Sequence, residues 1–177
     1  MYKYKDKNVQ DSFGWSVLGD VKDGRNNLGE YMSVYTYRLF QFATKNVLIE
    51  EIGAEKAIEI FRKSGYLGGY AFAEEFLDKD QDFNQFVAQL QAVMKEQLIG
   101  IVKLESADLE KMHLILAVAE DLDCSGLPVT DESVCDYDEG FIAGILAYYT
   151  GKEFDVREID CWATGGRVCR FDVQLKG

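Results

Sequence analysis

At Gly100 the spacing of hydrophobic residues changes, and that change limits the folds open to this chain more than any other feature. Upstream, apolar residues recur at three- and four-residue intervals, as Tyr31, Val34, Tyr35, Leu39, Phe42 and Val47 do. Asn27 and Glu30 make a capping-box-like pair ahead of them and Gly53 closes the series, so a helix is expected over 28–51. A second helical segment is expected over 54–77, and the glycines at 65, 68 and 69 predict that it breaks at "SGYLGG" or divides in two. A third helix begins at an Asp82 cap, carries Phe83, Phe86, Leu90, Val93 and Leu98, and ends at Gly100. Downstream the period is two. "GIVKLES" and "KMHLILAVAE" read as strands joined by a turn around 106–109. A fourth helix runs from Ser133 to Tyr149 with Gly151 as its stop, and "EFDVREIDCWA" and "RVCRFDVQL" read as two final strands. Helices first, then strands with one helix inserted, specify an α+β fold, an antiparallel sheet packed by helices. The 177 residues suit one domain over 25–177 after an irregular segment at 1–24.

Three of the four cysteines fall in the last third of the chain: Cys135, Cys161 and Cys169, with Glu158 just ahead of the second. Cys169 alternates with Phe171, Val173 and Leu175, so it faces the core, and Ile159 shares a face with Cys161. If Cys161 is to meet Cys169 the two must pair directly. That centres the hairpin loop on Gly165, with Thr164, Gly165 and Gly166 as a three-residue loop that wants a left-handed glycine. Glu158 and Cys161 are three apart, which would send them to opposite faces of a regular strand. The apolar phase also slips between Val156 and Ile159, so a bulge is expected near Arg157–Glu158. Cys135 falls in the first turn of the fourth helix, where the helix dipole favours a thiolate. Two readings remain open on these grounds. The thiols are small buried hydrophobes, or they converge on a metal, for which three thiolates and one carboxylate suit a closed, structural zinc site. Cys124 reads as a spare core thiol, a rival ligand or a redox partner of Cys135.

Charge narrows the partners. The formal net charge is −12, and acidic and basic residues are mixed along the chain without a basic block. Nucleic acid and anionic membrane surfaces are therefore not expected partners. "MYKYKDKNVQDSFGW" has no apolar run behind its lysines, and "GFIAGILAYY" is too short to span a bilayer, so a soluble cytoplasmic protein is expected. No glycine-rich dinucleotide fingerprint is present.

"VCDYDEGFIAGILAYYTGKEFDVREIDCWATGGRVCRFDV" resembles the four-vinyl-reductase domain, also called the hydrocarbon-binding domain, and "DGRNNLGEYMSVYTYRLFQF" is similar to that family's usual first helix. The resemblance covers roughly residues 20 to 176 and is most specific at its end. It implies the fold shared by aromatic-sensor domains and vesicle-tethering subunits. It also implies a zinc site like that of the sensor relatives, with Cys135, Glu158, Cys161 and Cys169 matching the ligand positions. Phenol specificity is not implied. The sensor relatives hold their effector with a histidine and a tryptophan, whereas His113 is the sole histidine here and matches no motif, and Trp162 follows a metal-site cysteine.

Aromatic stripes at helical spacing usually form core. The functional alternative is an apolar cavity between helices and sheet, with Tyr66 or Tyr70 offering a hydroxyl, Phe86 and Leu114 as walls, and Trp162 nearby. The expected function is a zinc-stabilised, homodimeric binding module for a small hydrophobic or aromatic molecule, in a sensory or carrier role with no catalytic residue. The alternatives are a reductase or accessory protein in vinyl-group or tetrapyrrole metabolism, suggested only by the family's name, and a non-catalytic scaffold or tethering protein.

Overall fold

The computed structural model describes residues 13–177, so part of the expected irregular segment lies outside the described residues. A 3-10 turn at Trp15–Leu18 and a short helix α1, Val21–Gly24, come first. The long helix α2 is Val34–Ile52, starting six residues later than the Asn27–Glu30 pair suggested. Gly29 takes φ +72°, a left-handed conformation that stops helical propagation from Asn27, and Ser33 caps instead by accepting the Tyr35 amide. Gly53, at φ +84°, turns the chain directly into α3.

Helix α3, Ala54–Phe76, is unbroken, contrary to the expectation raised by its glycines. Their role is packing. Gly65 and Gly69 face Gly140 and Gly144 of α5, Asp136–Thr150. A Cβ on Gly65 would lie 2.0 Å from the Tyr137 carbonyl oxygen, and one on Gly69 would lie 2.0 Å from that of Phe141. Conversely, a Cβ on Gly140 would lie 1.9 Å from the Arg62 oxygen, and one on Gly144 would lie 2.2 Å from the Tyr66 oxygen. Each helix thus offers a glycine pair at i and i+4, one face of a helix, and the two backbones touch. The α3–α5 interface is the most extensive between any two elements.

Helix α4, Phe83–Glu96, is capped as expected: Asp82 accepts the amides of Asn84 and Gln85. Its buried stripe is Phe86, Leu90 and Met94. Leu98 lies beyond the helix with φ +59° and is exposed. The strands β1, Ile101–Asp108, β2, His113–Ala119, β3, Phe154–Asp160, and β4, Cys169–Leu175, form one antiparallel sheet in the order β1-β2-β4-β3. The β1–β2 turn lies at 109–112, slightly later than expected. On the central strand β4, Cys169, Phe171 and Val173 face inward and are essentially fully buried. With Leu114, Leu116 and Val118 of β2 they form a floor covered by α4 and α5.

The β3–β4 ladder carries the feature that positions the cysteines. Its register shifts between Glu158 and Asp160, a bulge one residue past the expected place. Ile159 occupies the bulge and is 56% exposed, so it does not share the core face with Cys161 as the alternation had suggested. Past the bulge Asp160 pairs with Arg170, and one more step in that register sets Cys161 opposite Cys169. The loop between them is a 3-10 turn, Trp162–Thr164, ending at Gly165 with φ +96°, the left-handed glycine the hairpin required.

The glycine contact yields a stability test. Gly140→Ala forces the α3 and α5 backbones apart and should cost about 3 kcal/mol in chemical denaturation, at the upper end of overpacking effects. Gly24→Ala, where a Cβ meets nothing within 4 Å, should change stability by no more than about 0.5 kcal/mol. Equal stability of the two variants would refute a backbone-to-backbone crossing.

Candidate functional site

Four segments far apart in sequence bring their thiols together. Cys124 comes from a turn after β2, Cys135 is the N-cap of α5 rather than part of its first turn, Cys161 ends the bulged strand, and Cys169 starts β4. All four are buried and free, and their sulfurs lie within 4.8 Å of one another. The Cys135 Sγ is 3.9 Å from that of Cys161 and 3.8 Å from that of Cys169, and the Cys124 and Cys169 sulfurs are 3.0 Å apart. Of the residues singled out in the sequence, Cys135, Cys161 and Cys169 are thus in mutual contact. Cys124 joins them, although its spacing carried no signal. Glu158 sits at the rim: its Oε2 accepts the Cys135 amide at 3.4 Å, and its buried Oε1 has no hydrogen-bond partner.

Burial and neighbours set the protonation of this cluster. Hydrogen bonds from Cys124, Cys135 and Cys169 pull the Cys161 thiol far below its ordinary range. Contact with Cys124 first, then with the other sulfurs and through burial, pushes Cys135 up. Contact with Cys124 likewise raises Cys169. The metal-free cluster therefore favours one thiolate solvated by three thiols. Desolvation lifts the Glu158 carboxyl to about 8. A tetrahedral ion with metal–sulfur bonds near 2.3 Å needs sulfur–sulfur edges of about 3.8 Å. The two Cys135 edges match that figure, so the four thiols fit a single tetrahedral ion such as zinc.

The segments bearing Cys124 and Cys135 are clamped by α2. The Arg38 guanidinium donates to the carbonyls of Leu122 at 2.7 Å, Ser125 at 2.9 Å and Asp121 at 3.3 Å. Tyr37 Oη and Gln41 Nε2 donate to the two oxygens of Asp123, at 2.8 and 2.6 Å. Lys45 pairs with Asp136 at 2.6 Å and donates to the Val134 carbonyl. Asp121 Oδ1 accepts the amides of Asp123 and Cys124, closing the turn.

A second feature lies at the other end of α5. Between the β1–β2 turn, α4, the end of α5 and the start of β3 is an apolar cavity of about 210 Å³. Its walls are Phe83, Leu109, Met112, Leu114, Leu146, Tyr149, Thr150 and Phe154. Leu114 is among them, as expected, and Phe86 lies behind the wall, stacked on Tyr149 at 4.0 Å between centroids. Tyr66, Tyr70 and Trp162 lie elsewhere. Tyr66 Oη donates to Glu153 in a polar groove with Arg62 and Lys63. The Tyr70 ring packs edge-on against Tyr148. Trp162 Nε1 donates to the Leu127 carbonyl, with Arg167 over its ring. His113 bonds Asp172 across β2 and β4 at 2.6 Å. The wall residues missed in the sequence, Leu146, Tyr149 and Thr150, sit at helical spacing on α5, but a cavity wall and a filled core read alike in such a pattern.

Residues 114–175, which contain the cavity strand, α5 and three of the four cysteines, match the model of the four-vinyl-reductase domain. Among the relatives in sequence, the uncharacterized protein MJ1642 of Methanocaldococcus jannaschii is 29% identical over 139 residues, 72% of this chain and 83% of the relative. The phenol-responsive sensory domain of the transcription activator PoxR, solved with phenol, has the same fold, with a TM-score of 0.63 at 16% identity over 89% of this chain and 90% of the other. A vinyl-4-reductase family protein of M. jannaschii superposes over the whole of both chains, at 0.62 and 14% identity. A trafficking protein particle complex subunit 3 of Naegleria fowleri, covalently bound to palmitic acid, scores 0.59 at 13% identity over 82% of this chain and 98% of the other. At these identities the structural likeness is one of fold.

Proposed function

This chain carries a four-vinyl-reductase domain over residues 114–175, and on that premise we propose that it is a zinc-stabilised binding module for a small, wholly apolar molecule. The chemistry of the cavity wall carries the proposal. Its only two hydroxyls are already committed, that of Tyr149 to the Gln81 carbonyl and that of Thr150 to the Leu146 carbonyl. A guest there gains from leaving water and has no polar group to satisfy, so hydrocarbon and aromatic rings fit and charged molecules do not. Two proteins of the same fold were solved with phenol and with palmitic acid, which accords with a fold that takes apolar guests. No chemical step is assigned to any residue.

The thiols supply the structural part. Cys135, Cys161 and Cys169, with Cys124 as the fourth donor, would hold zinc, and the ion would supply a cross-link between the tip of α5, the Cys124 turn and the hairpin. Glu158, the carboxylate matched to a ligand position in the sequence, then supports the site by accepting the Cys135 amide. The oligomeric part rests on α2. Its polar face clamps the cysteine segments while Leu39 and Phe40, 73% and 72% exposed, stand on the outside with Tyr35. They flank an apolar groove between α2 and α3. An apolar helix face of that extent suits a second copy of the chain.

Three measurements check these parts. In zinc titration, Cys161→Ser should abolish tight binding and lower the melting temperature markedly, because the binding energy of a structural ion is folding energy. Cys124→Ser should weaken binding more than Glu158→Gln, and the reverse order would restore Glu158 as the fourth ligand. Naphthalene, as an apolar probe, should bind the wild type, and Leu114→Trp should weaken it at least about tenfold by filling the cavity. Undiminished binding by a folded Leu114→Trp variant would place the guest elsewhere. In sedimentation the wild type should be a dimer and the Leu39→Glu/Phe40→Glu variant a monomer, and a wild-type monomer would remove the α2 interface.

A further inference from the structure

Beside the thiol cluster is a carboxylate with no evident structural partner. Asp138 is the third residue of α5, where an acidic side chain ordinarily reaches back to the N-cap amide. Here that amide, of Cys135, is taken by Glu158. Asp138 as a whole residue is only partly buried, but its Oδ2 is sealed from solvent and makes no hydrogen bond. Among the described residues no lysine or arginine pairs with Asp138 or with Asp121. Lys45 and Arg62 go to Asp136, and Arg38 goes to carbonyl oxygens. Asp121 faces the same spot, buried, with Oδ1 fixed by two amides. One oxygen each of Asp121 and Asp138 and the sulfur of Cys135 lie within 4.8 Å of one another.

We infer that Asp121, Asp138 and Cys135 form a second site for a divalent cation, adjoining the thiol centre and sharing the Cys135 sulfur with it. Two facts independent of each other point there: the mutual reach of the three donors, and the unpartnered, sealed oxygen of Asp138 aimed among them. Electrostatics agrees. A divalent ion on four thiolates leaves that cluster negative, and two further buried carboxylates beside it are tolerable only if protonated or neutralised. Burial, with the neighbouring Asp123, lifts Asp121 to about 7, and burial raises Asp138 well above its usual range, the mark of a site short of positive charge. The helix dipole favours an anion at this end of α5, but its share is about 1 kcal/mol, too little to hold a lone buried carboxylate ionised. Two carboxylates and a thiolate suit a borderline ion of the zinc class, and a thiolate can bridge two such ions. Three protein donors leave a further position open to water, unlike the closed thiol site.

The proposal rests on the thiol cluster holding the first ion, so the test counts ions. Native mass spectrometry of the full chain, titrated with zinc alone, should give two ions per protomer in the wild type and one in Asp138→Asn. A saturated wild type with one ion overturns the second site and leaves the thiol centre standing, with Asp138 a protonated acid. No ion at all removes both. Two ions in wild type and variant alike overturn the proposal as an adventitious ion on the acidic surface. Should Asp138→Asn fail to fold, the wild-type count still decides, and thiol-to-cobalt charge-transfer absorption supplies a second measure: a shared Cys135 sulfur requires that band to change between the first and second equivalents of cobalt, and an unchanged band excludes the bridge.

Discussion

The fold turns on one close approach, the contact of α3 and α5 through facing glycine pairs. Side chains usually hold packed helices 8–10 Å apart. Where glycines meet, the backbones come nearer, and the position of one helix along the other is fixed by the small size of the contact. Helix α5 is thereby pinned between α3 and the sheet and buried along most of its length. Its two ends then have determined places. The N-cap, Cys135, meets the β3–β4 hairpin, and the last turn, with Leu146 and Tyr149, roofs the apolar cavity. At 1.5 Å per residue these lie about 20 Å apart on one rigid rod.

The hairpin end depends on a second constraint, a single extra residue. Without the bulge at Ile159 the strand would present Glu158 and Cys161 to opposite faces. With it, Cys161 points into the core opposite Cys169, and Glu158 still reaches the Cys135 amide. The cost is an exposed isoleucine and a local loss of ladder pairing, and bulges of this kind recur where a strand must re-aim a side chain. The left-handed Gly165 closes the loop that follows.

Much of this was legible in the sequence, for identifiable reasons. Period and phase are local properties, so the order of helices and strands, the slip between Val156 and Ile159, and the pairing of Cys161 with Cys169 could be read directly. What failed was whatever depends on the partner surface. Gly65, Gly68 and Gly69 look like breakers in isolation and become packing residues only once Gly140 and Gly144 lie opposite. Leu114 was legible as a wall because it sits on the inward face of a strand, whereas Tyr66 and Tyr70 share α3 with core residues but lie on its outer side. Cys124 follows no periodic pattern. Its place is set by Arg38 and Asp121, residues eighty-odd positions apart or hidden in a turn, and no spacing rule encodes such a clamp.

That clamp joins the parts of the molecule. Helix α2 packs only modestly on α3, and its inward side chains go instead to the segments carrying Cys124 and Cys135. Arg38 binds three backbone oxygens that a turn cannot satisfy internally, and Tyr37 and Gln41 saturate the Asp123 carboxylate, which burial would otherwise penalise. The turn is therefore ordered only while α2 is docked, and α2 is docked largely through the turn. Elements tied by mutual hydrogen bonds rather than by a shared apolar core open and close together. The thiol centre, its two flanking segments and α2 thus form one cooperative unit, separate from the α4–sheet layer that walls the cavity.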